Sequence, residues 1–222
     1  MDWQALTLSC ELAAVTLLTL LPVGLWLGRW LARTAWRAKI WIEALVILPL
    51  VLPPTVLGYY LLISLGGNSP LGRFLHEHFD VTLTFNFTGL VFASVLFNLP
   101  FMVQPIQRAF ETIPRTLGEA AAVSGLGSWQ TLWWVELPLA WPGVLSALVL
   151  TFVHTLGEFG VVLMVGGNIP GETRTIAIAI YDRVQAFDLI SADRMALLLL
   201  VLSLLAVVGS YFLSARMALR RP

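Results

Sequence analysis

Charge is scarce in this chain. Only 12% of its 222 residues are charged against 58% hydrophobic, and the mean hydropathy is +0.84. That balance excludes an ordinary soluble domain. With 13 basic and 13 acidic side chains, it also excludes a nucleic-acid binder held by net charge. Cysteine is nearly absent: Cys10 stands alone, so no internal disulfide framework and no multi-cysteine metal site can form. It lies in an apolar run and reads as a small packed side chain. Lysine is just as rare, Lys39 in Arg37-Ala38-Lys39-Ile40 being the single one, and no Gly-Lys-Ser/Thr sequence exists to close a phosphate-binding loop. The chain therefore has no ATP site of its own, and any driven process must draw its energy from another subunit. A basic leader is also missing. The sequence opens Met1-Asp2-Trp3-Gln4 and its arginines follow the first apolar run, which reads as a retained membrane helix rather than a signal peptide.

What is present is apolar length. Stretches of about 20 residues, enough to cross a hydrocarbon core, recur five times. They cover roughly 6–28, 41–65, 88–106, 139–165 and 195–213. The expected fold is an all-α polytopic membrane protein, a single domain over 1–222 with its core at about 6–214. Arg29, Arg33, Arg37 and Lys39 follow the first stretch, Arg108 and Arg115 the third, and Arg216, Arg220 and Arg221 the fifth. With five spans these segments share one side, cytoplasmic by the positive-inside tendency. The N-terminus is then outside and the C-terminus cytoplasmic, and the polar segment 108–138 faces the cytoplasm. Asp2, Glu77, Asp80, Glu172, Asp182, Asp188 and Asp193 fall on the outer side. Segment 166–194 holds a helix-like piece at about 175–186, too short and polar to span, and reads as interfacial or partly re-entrant at the outer face.

Several spans carry internal breaks. Pro49, Pro53 and Pro54 interrupt the second, and Asn98, Pro100, Gln104 and Pro105 the third. A single proline is most simply a tolerated kink. Clustered kinks and amides in adjacent spans point instead to a polar pathway. Gly24 and Gly28 form a GxxxG suited to close helix contact, a weak motif by chance frequency. Glu158, within Gly157-Glu158-Phe159-Gly160, would be costly as an unpaired carboxylate inside a span. It reads equally as a pathway or gate residue and as a carboxylate bonded to the backbone of a neighbouring broken helix. Glu11 and Glu43 lie near span ends, where interfacial hydration accounts for them. His154 reads as packing or bonding to a neighbouring helix. His76, Glu77, His78 and Asp80 form the best metal-like cluster. In an extended segment both imidazoles would share one face and could chelate zinc or copper, whereas the plain reading is a solvated outer loop. The function class this cluster would open, a membrane enzyme or metal-binding protein, is the rival to a transport role.

The segment EAAAVSGLGSWQTLWWVELP at 119–138 is the least apolar interruption. Pro114 suits a first helical turn and Gly125 its left-handed end. Leu117, Ala120, Ala121 and Ser124 share one face with small side chains. After the Gly125-Leu126-Gly127 turn, Ser128 can cap a second short helix. Trp129, Leu132 and Trp133 line one side of it, and Pro138 marks its stop. Helices this short are marginal alone and must dock, either on a partner or on the chain's own membrane core.

Glu119-Ala120-Ala121, then Gly125, then Val135, Leu137 and Pro138 follow the spacing E-A-A-x-x-x-G-x(9)-I-x-L-P, with valine in place of isoleucine. This segment resembles the EAA loop of type I ABC importer permeases. The resemblance implies the type I importer transmembrane fold, with five spans and a coupling helix lying in a groove of a separate cytoplasmic ATPase. Glu119 and Gly125 would shape the bend, Leu137-Pro138 would lead into the next span, and the residues coupling to the ATPase would be Glu119, Ala120, Ala121, Gly125, Trp129, Leu132, Trp133, Leu137 and Pro138. Other segments resemble the molybdate branch of that family: Pro49-Leu50-Val51-Leu52-Pro53-Pro54-Thr55-Val56-Leu57-Gly58-Tyr59, Gly157-Glu158-Phe159-Gly160 and Asn168-Ile169-Pro170-Gly171-Glu172-Thr173-Arg174-Thr175. Sulfate and tungstate permeases share parts of them, and members with an extra N-terminal span differ from this chain.

The expectation is a transport subunit and not an enzyme, sited in the cytoplasmic membrane. It has no cofactor of its own, since ATP is bound by the partner. The resemblance implies molybdate as the oxyanion carried, with sulfate or tungstate as the alternative, and as partners that ATPase, a periplasmic or extracellular molybdate-binding protein and a second copy of the chain. Candidate pathway or gate residues are Pro53, Pro54, Thr55, Asn98, Pro100, Glu158, Phe159, Gly160, Asn168, Thr173, Arg174 and Thr175. The neutral donors among them could hold an oxyanion weakly enough to release it. Arg174 reads as pairing with Glu172 or meeting a docking protein, rather than gripping the anion.

Overall fold

The computed structural model describes residues 1–219. Among them every regular element is a helix: α1 Trp3–Arg33, α2 Lys39–Val51, α3 Pro54–Leu65, α4 Pro70–Phe79, α5 Phe87–Glu111, α6 Arg115–Val123, α7 Ser128–Thr131, a π-helical turn Leu132–Glu136, α8 Leu137–Gly157, α9 Gly160–Gly166, α10 Ile176–Gln185 and α11 Leu189–Leu219. Four helices are long and apolar enough to cross a membrane: α1, α5, the continuous run Ser128–Gly157 and α11. Five result if α2 and α3 count as one span, although they meet at a 107° bend. The second apolar stretch is therefore not one straight helix. Leu52 is extended and Pro53-Pro54 supplies no backbone N–H, so the first helix closes and the second restarts with Pro54 in its first turn.

The fourth stretch also differs from expectation. Its helix ends at Gly157, Glu158 is extended, and a separate seven-residue helix starts at Gly160. By contrast, α5 continues unbroken through Pro100 and Pro105. Neighbouring helices cover that face: Pro100, Met102, Val103 and Ile106 are all buried.

Close approach of α1 and α5 builds the core. A Cβ on Gly24 would fall 2.5 Å from Met102 Cγ, and one on Gly28 would lie 3.1 Å from the Gln107 backbone nitrogen. The GxxxG is thus a real contact. Leu20, Met102, Ile106, Phe110, Ala140 and Val144 then pack as one buried cluster across α1, α5 and α8. A second cluster joins Leu8, Leu12, Leu90, Val162 and Ile178 near the other end of α1.

The segment 166–194 folds as expected around a short helix. Thr175 caps α10, and Ser9 of α1 accepts a hydrogen bond from the Ile176 backbone nitrogen at 2.8 Å. Asp188 accepts from the Ser191 backbone nitrogen at the start of α11, and the hydrogen bonds from Ser191 hold its carboxyl below the ordinary carboxylate range.

Candidate functional site

Three polar regions lie on this frame, beginning with the loop that the sequence singles out. Pro114 precedes α6, and the helix closes with Gly125 at φ +83°. The Leu126 nitrogen donates to the Ala121 carbonyl and the Gly125 nitrogen to the Ala122 carbonyl, both at 3.0 Å. This is a Schellman closure, and it needs glycine for the left-handed residue. An added Cβ on Gly125 would touch nothing, so the requirement is conformational and not steric.

Ala121 turns inward, while Leu117, Glu119, Ala120 and Val123 are exposed, Val123 at 91%. Ser128 is not the cap of the next helix. Gly127 holds that place, and Gln130 Oε1 accepts from its nitrogen at 3.0 Å. Nor does Pro138 stop the helix. Trp129 and Trp133 lead through a π-helical turn that runs straight into α8, where Pro138, which has no backbone N–H to donate, lies just past the π-helical turn. Leu132 and Leu137 are half-buried against the α1–α5–α8 core.

Sequence reading passed over the residue that fixes this loop. Glu136, buried at 4% exposure, accepts from Arg29 Nε at 2.5 Å and from Arg33 Nη2 at 3.0 Å. Arg33 Nη1 also donates to the Ile113 carbonyl at 3.2 Å. The C-terminal end of α1, the exit of α5 and the entry of α8 are thereby tied at one end of the bundle. A carboxylate a half-turn from the aromatic pair was the available signal, since it falls where an apolar span begins. Beside this joint, Gln107 Nε2 donates to Glu43 at 2.8 Å and to Glu111 at 2.9 Å.

The second region forms where the two chain breaks meet. Gly160 lies against Pro54, so close that an added Cβ would come within 3.0 Å of Pro54 Cβ. Gly58 approaches the Val161 backbone in the same way. The Pro-Pro-Thr and Gly-Glu-Phe-Gly segments, distant in the chain, thus form one crossing. A cavity of about 590 Å³ opens there, lined by Thr55, Phe97, His154, Glu158 and Phe159 among others.

Glu158 is buried at 3% exposure. Its Oε2 accepts from Ser94 Oγ at 2.7 Å and from Asn98 Nδ2 at 3.2 Å. Its partners are therefore side chains of the intact α5, not backbone of a broken helix. Asn98 Nδ2 also donates to the Ser94 carbonyl, so Oδ1 is the atom 2.9 Å from His154 Nδ1 and the imidazole donates there. Phe101 stacks on the His154 ring at 3.9 Å between centroids. Among the described residues no cation pairs with Glu158, and its Oε1 is buried without a hydrogen-bond partner. Pro53, Pro54 and Thr55 are exposed on this side, whereas Pro100 is buried and Phe159 packs beside Tyr181.

The third region, at the far end, is structural in detail. Thr173 Oγ1 accepts from the Ile169 nitrogen and Thr175 caps α10, both fully buried. Arg174 pairs with Asp182 at 3.5 Å and donates to Asn168 Oδ1 at 2.6 Å, so its partner is not Glu172. The His76–Asp80 segment is helical rather than extended. His76 and His78 therefore diverge, and His78 stacks on Phe74 instead. Among the described residues no group of three candidate metal ligands gathers.

A bundle of broken and continuous apolar helices, with a polar loop packed at one end, has the make-up of a polytopic membrane protein. The chain belongs to the family of binding-protein-dependent transport system inner membrane components, whose model matches residues 21–219. Over 95% of this chain and 93% of the relative, it is 48% identical to the molybdenum transport system permease protein ModB of Azotobacter vinelandii. It is 31% identical to the sulfate transport system permease protein CysT of Escherichia coli K12, over 98% of this chain and 82% of the other. Its fold matches a crystal structure of a bacterial ABC transporter that imports alginate, with TM-score 0.78 at 18% identity, covering 96% of this chain and 78% of that one. The relatives are permease subunits and not enzymes.

Proposed function

We propose that this chain is the permease subunit of an ATP-driven importer that carries molybdate across the cytoplasmic membrane. The observation that carries the substrate is the 48% identity, over nearly the full length of both chains, to a molybdenum permease, against 31% to a sulfate permease. α6 is the coupling helix. Its exposed Leu117, Glu119, Ala120 and Val123 meet an ATPase subunit, while Ala121 and the Gly125 closure hold it in position. Movement of α6 reaches α8 through the π-helical turn, and α1 follows through the Glu136 joint.

Five spans, with the N-terminus outside, accommodate the bent pair α2–α3 as one crossing. Glu43 near Gln107, Val46 beside Val103, and Leu57 and Leu61 beside Ala93 support this, because they advance along α5 from its C-terminal to its N-terminal half. The pathway lies between two copies of the chain, at the exposed Pro53-Pro54-Thr55 face and the α8–α9 break. Thr55 and His154 offer weak contacts there, and Glu158, Ser94 and Asn98 hold the break closed against α5. Tyr59, Tyr60 and Ile63, exposed on α3, supply apolar surface for the second copy. Asn168 and Arg174 belong to the outer rim, where an anion-binding protein docks.

The test is ATP-dependent uptake of labelled molybdate in vesicles that hold the reconstituted complex, with sulfate or tungstate as competitor. Molybdate uptake that a tenfold excess of sulfate leaves intact supports the reading. Displacement by equimolar sulfate transfers the assignment to a sulfate permease.

A further inference from the structure

A groove beside the coupling loop lies apart from the crossing of Pro54 with Gly160 and is lined by no residue of α6. It has a volume of about 890 Å³ and runs between the C-terminal half of α1 and the start of the α7–α8 run. At 1.5 Å per residue, Leu21 lies about 12 Å deeper along α1 than Arg29. The groove is therefore apolar at its deep end, along Leu21, Pro22 and Leu25, and basic at its mouth, at Arg29 and Arg33. Tryptophans line both walls. Trp26 on α1 and Trp129 on the opposite side are about 70% and 69% exposed, and Trp129 meets Trp133 edge-on at 5.6 Å. Indoles that are apolar in body with one polar N–H are the side chains of a membrane–water boundary.

The charge at the mouth does not cancel. Two guanidiniums face the single carboxylate of Glu136. Arg29 reaches it with Nε, so its terminal nitrogens remain available, and among the described residues the buried Arg33 Nε has no partner. We infer that this groove holds one anionic phospholipid of the cytoplasmic leaflet, with its phosphate on Arg29 and an acyl chain along Leu21 and Leu25. A soluble ATPase cannot reach Leu21, which lies well inside the span Trp3–Arg33. The lipid spans α1 and the π-helical turn, so it braces the joint through which α6 moves α8. The inference takes its leaflet from the basic-end orientation and is independent of the transported anion.

Native mass spectrometry of the detergent-purified complex, titrated with phosphatidylglycerol or phosphatidylcholine of equal chain length, tests it without any substrate. One phosphatidylglycerol per copy should bind about five-fold more tightly than phosphatidylcholine, the effect of one well-placed basic side chain. R29Q should abolish that preference while Arg33 still partners Glu136. L25W, which fills the groove and leaves both arginines in place, should lower binding of either lipid. R108Q removes a more exposed basic side chain and should leave the preference unchanged. Equal affinity for the two lipids in the wild type overturns the inference, as do unchanged binding in R29Q and L25W or an equal loss in R108Q. Complete disulfide cross-linking between copies of a W129C variant also overturns it, because a second copy then fills the groove. Molybdate uptake is read separately, so a failed lipid test leaves the importer assignment standing.

Discussion

Two glutamates in this molecule are buried almost equally, Glu136 at 4% and Glu158 at 3% exposure, and their surroundings are opposite. Glu136 sits between two guanidiniums at the end of the bundle. Glu158 sits at a helix break where, among the described residues, its only donors are a hydroxyl and an amide and one oxygen is unpartnered. A buried ion pair is costly to break because removal of one member strands the other's charge. A carboxyl held only by neutral donors can be changed or moved more cheaply. The first arrangement suits a joint that must transmit force, and the second suits an element that must let go.

Substitutions at the two sites should separate these roles. E136A removes the carboxylate shared by Arg29 and Arg33, which are 30% and 23% exposed, and should cause the largest loss, about 3 kcal/mol, the low end for a broken buried pair. It should appear as poor membrane accumulation and a lowered melting temperature in detergent, and wild-type thermal stability would remove the joint from the account. G125V comes next. Forcing a branched residue into the left-handed region costs about 1–2 kcal/mol locally. ATPase stimulation should fall while the amount of inserted protein stays normal.

N98L removes one of the two donors to Glu158 and the acceptor from His154, at about 1–3 kcal/mol for the groups left unsatisfied. E158Q keeps shape and most contacts, so its melting temperature should stay near wild type while uptake changes. If E158Q melts as early as E136A, the two glutamates do not differ as described. The smallest effect is expected at the rim. Arg174 and Asp182 are 29% and 34% exposed, and R174Q should cost below about 1 kcal/mol of stability. Its effect should be sought in the salt dependence of uptake.

The residues read most securely from sequence are those whose constraint is local. Gly125 is legible because a left-handed helix end demands glycine, and the long apolar runs are legible because length and composition suffice. Boundaries failed where several local rules competed. Pro53-Pro54 ends a helix and Pro100 and Pro105 do not, and the difference lies in what packs against each. The meeting of Pro54 with Gly160 could be anticipated only as two separate motifs, because periodicity carries no information on contacts between distant segments. The pairing of Glu136 with Arg29 and Arg33 was hidden for the same reason, as were the structural duties of Thr173 and Thr175, whose hydroxyls looked free for a substrate. The extended reading of the His76–Asp80 segment failed because Ser69-Pro70 starts a helix there, with Ser69 accepting from the Gly72 nitrogen at 2.7 Å.

The central claim is that α6, held by the Gly125 closure, converts ATP hydrolysis in a separate subunit into movement of this bundle. The most direct measurement is the number of molybdate ions imported per ATP hydrolysed by vesicles with wild-type or G125V permease, alongside equal amounts of ATPase and binding protein. The account predicts that the G125V complex inserts and assembles but imports several-fold less molybdate per ATP. An unchanged ratio and rate in G125V would contradict it.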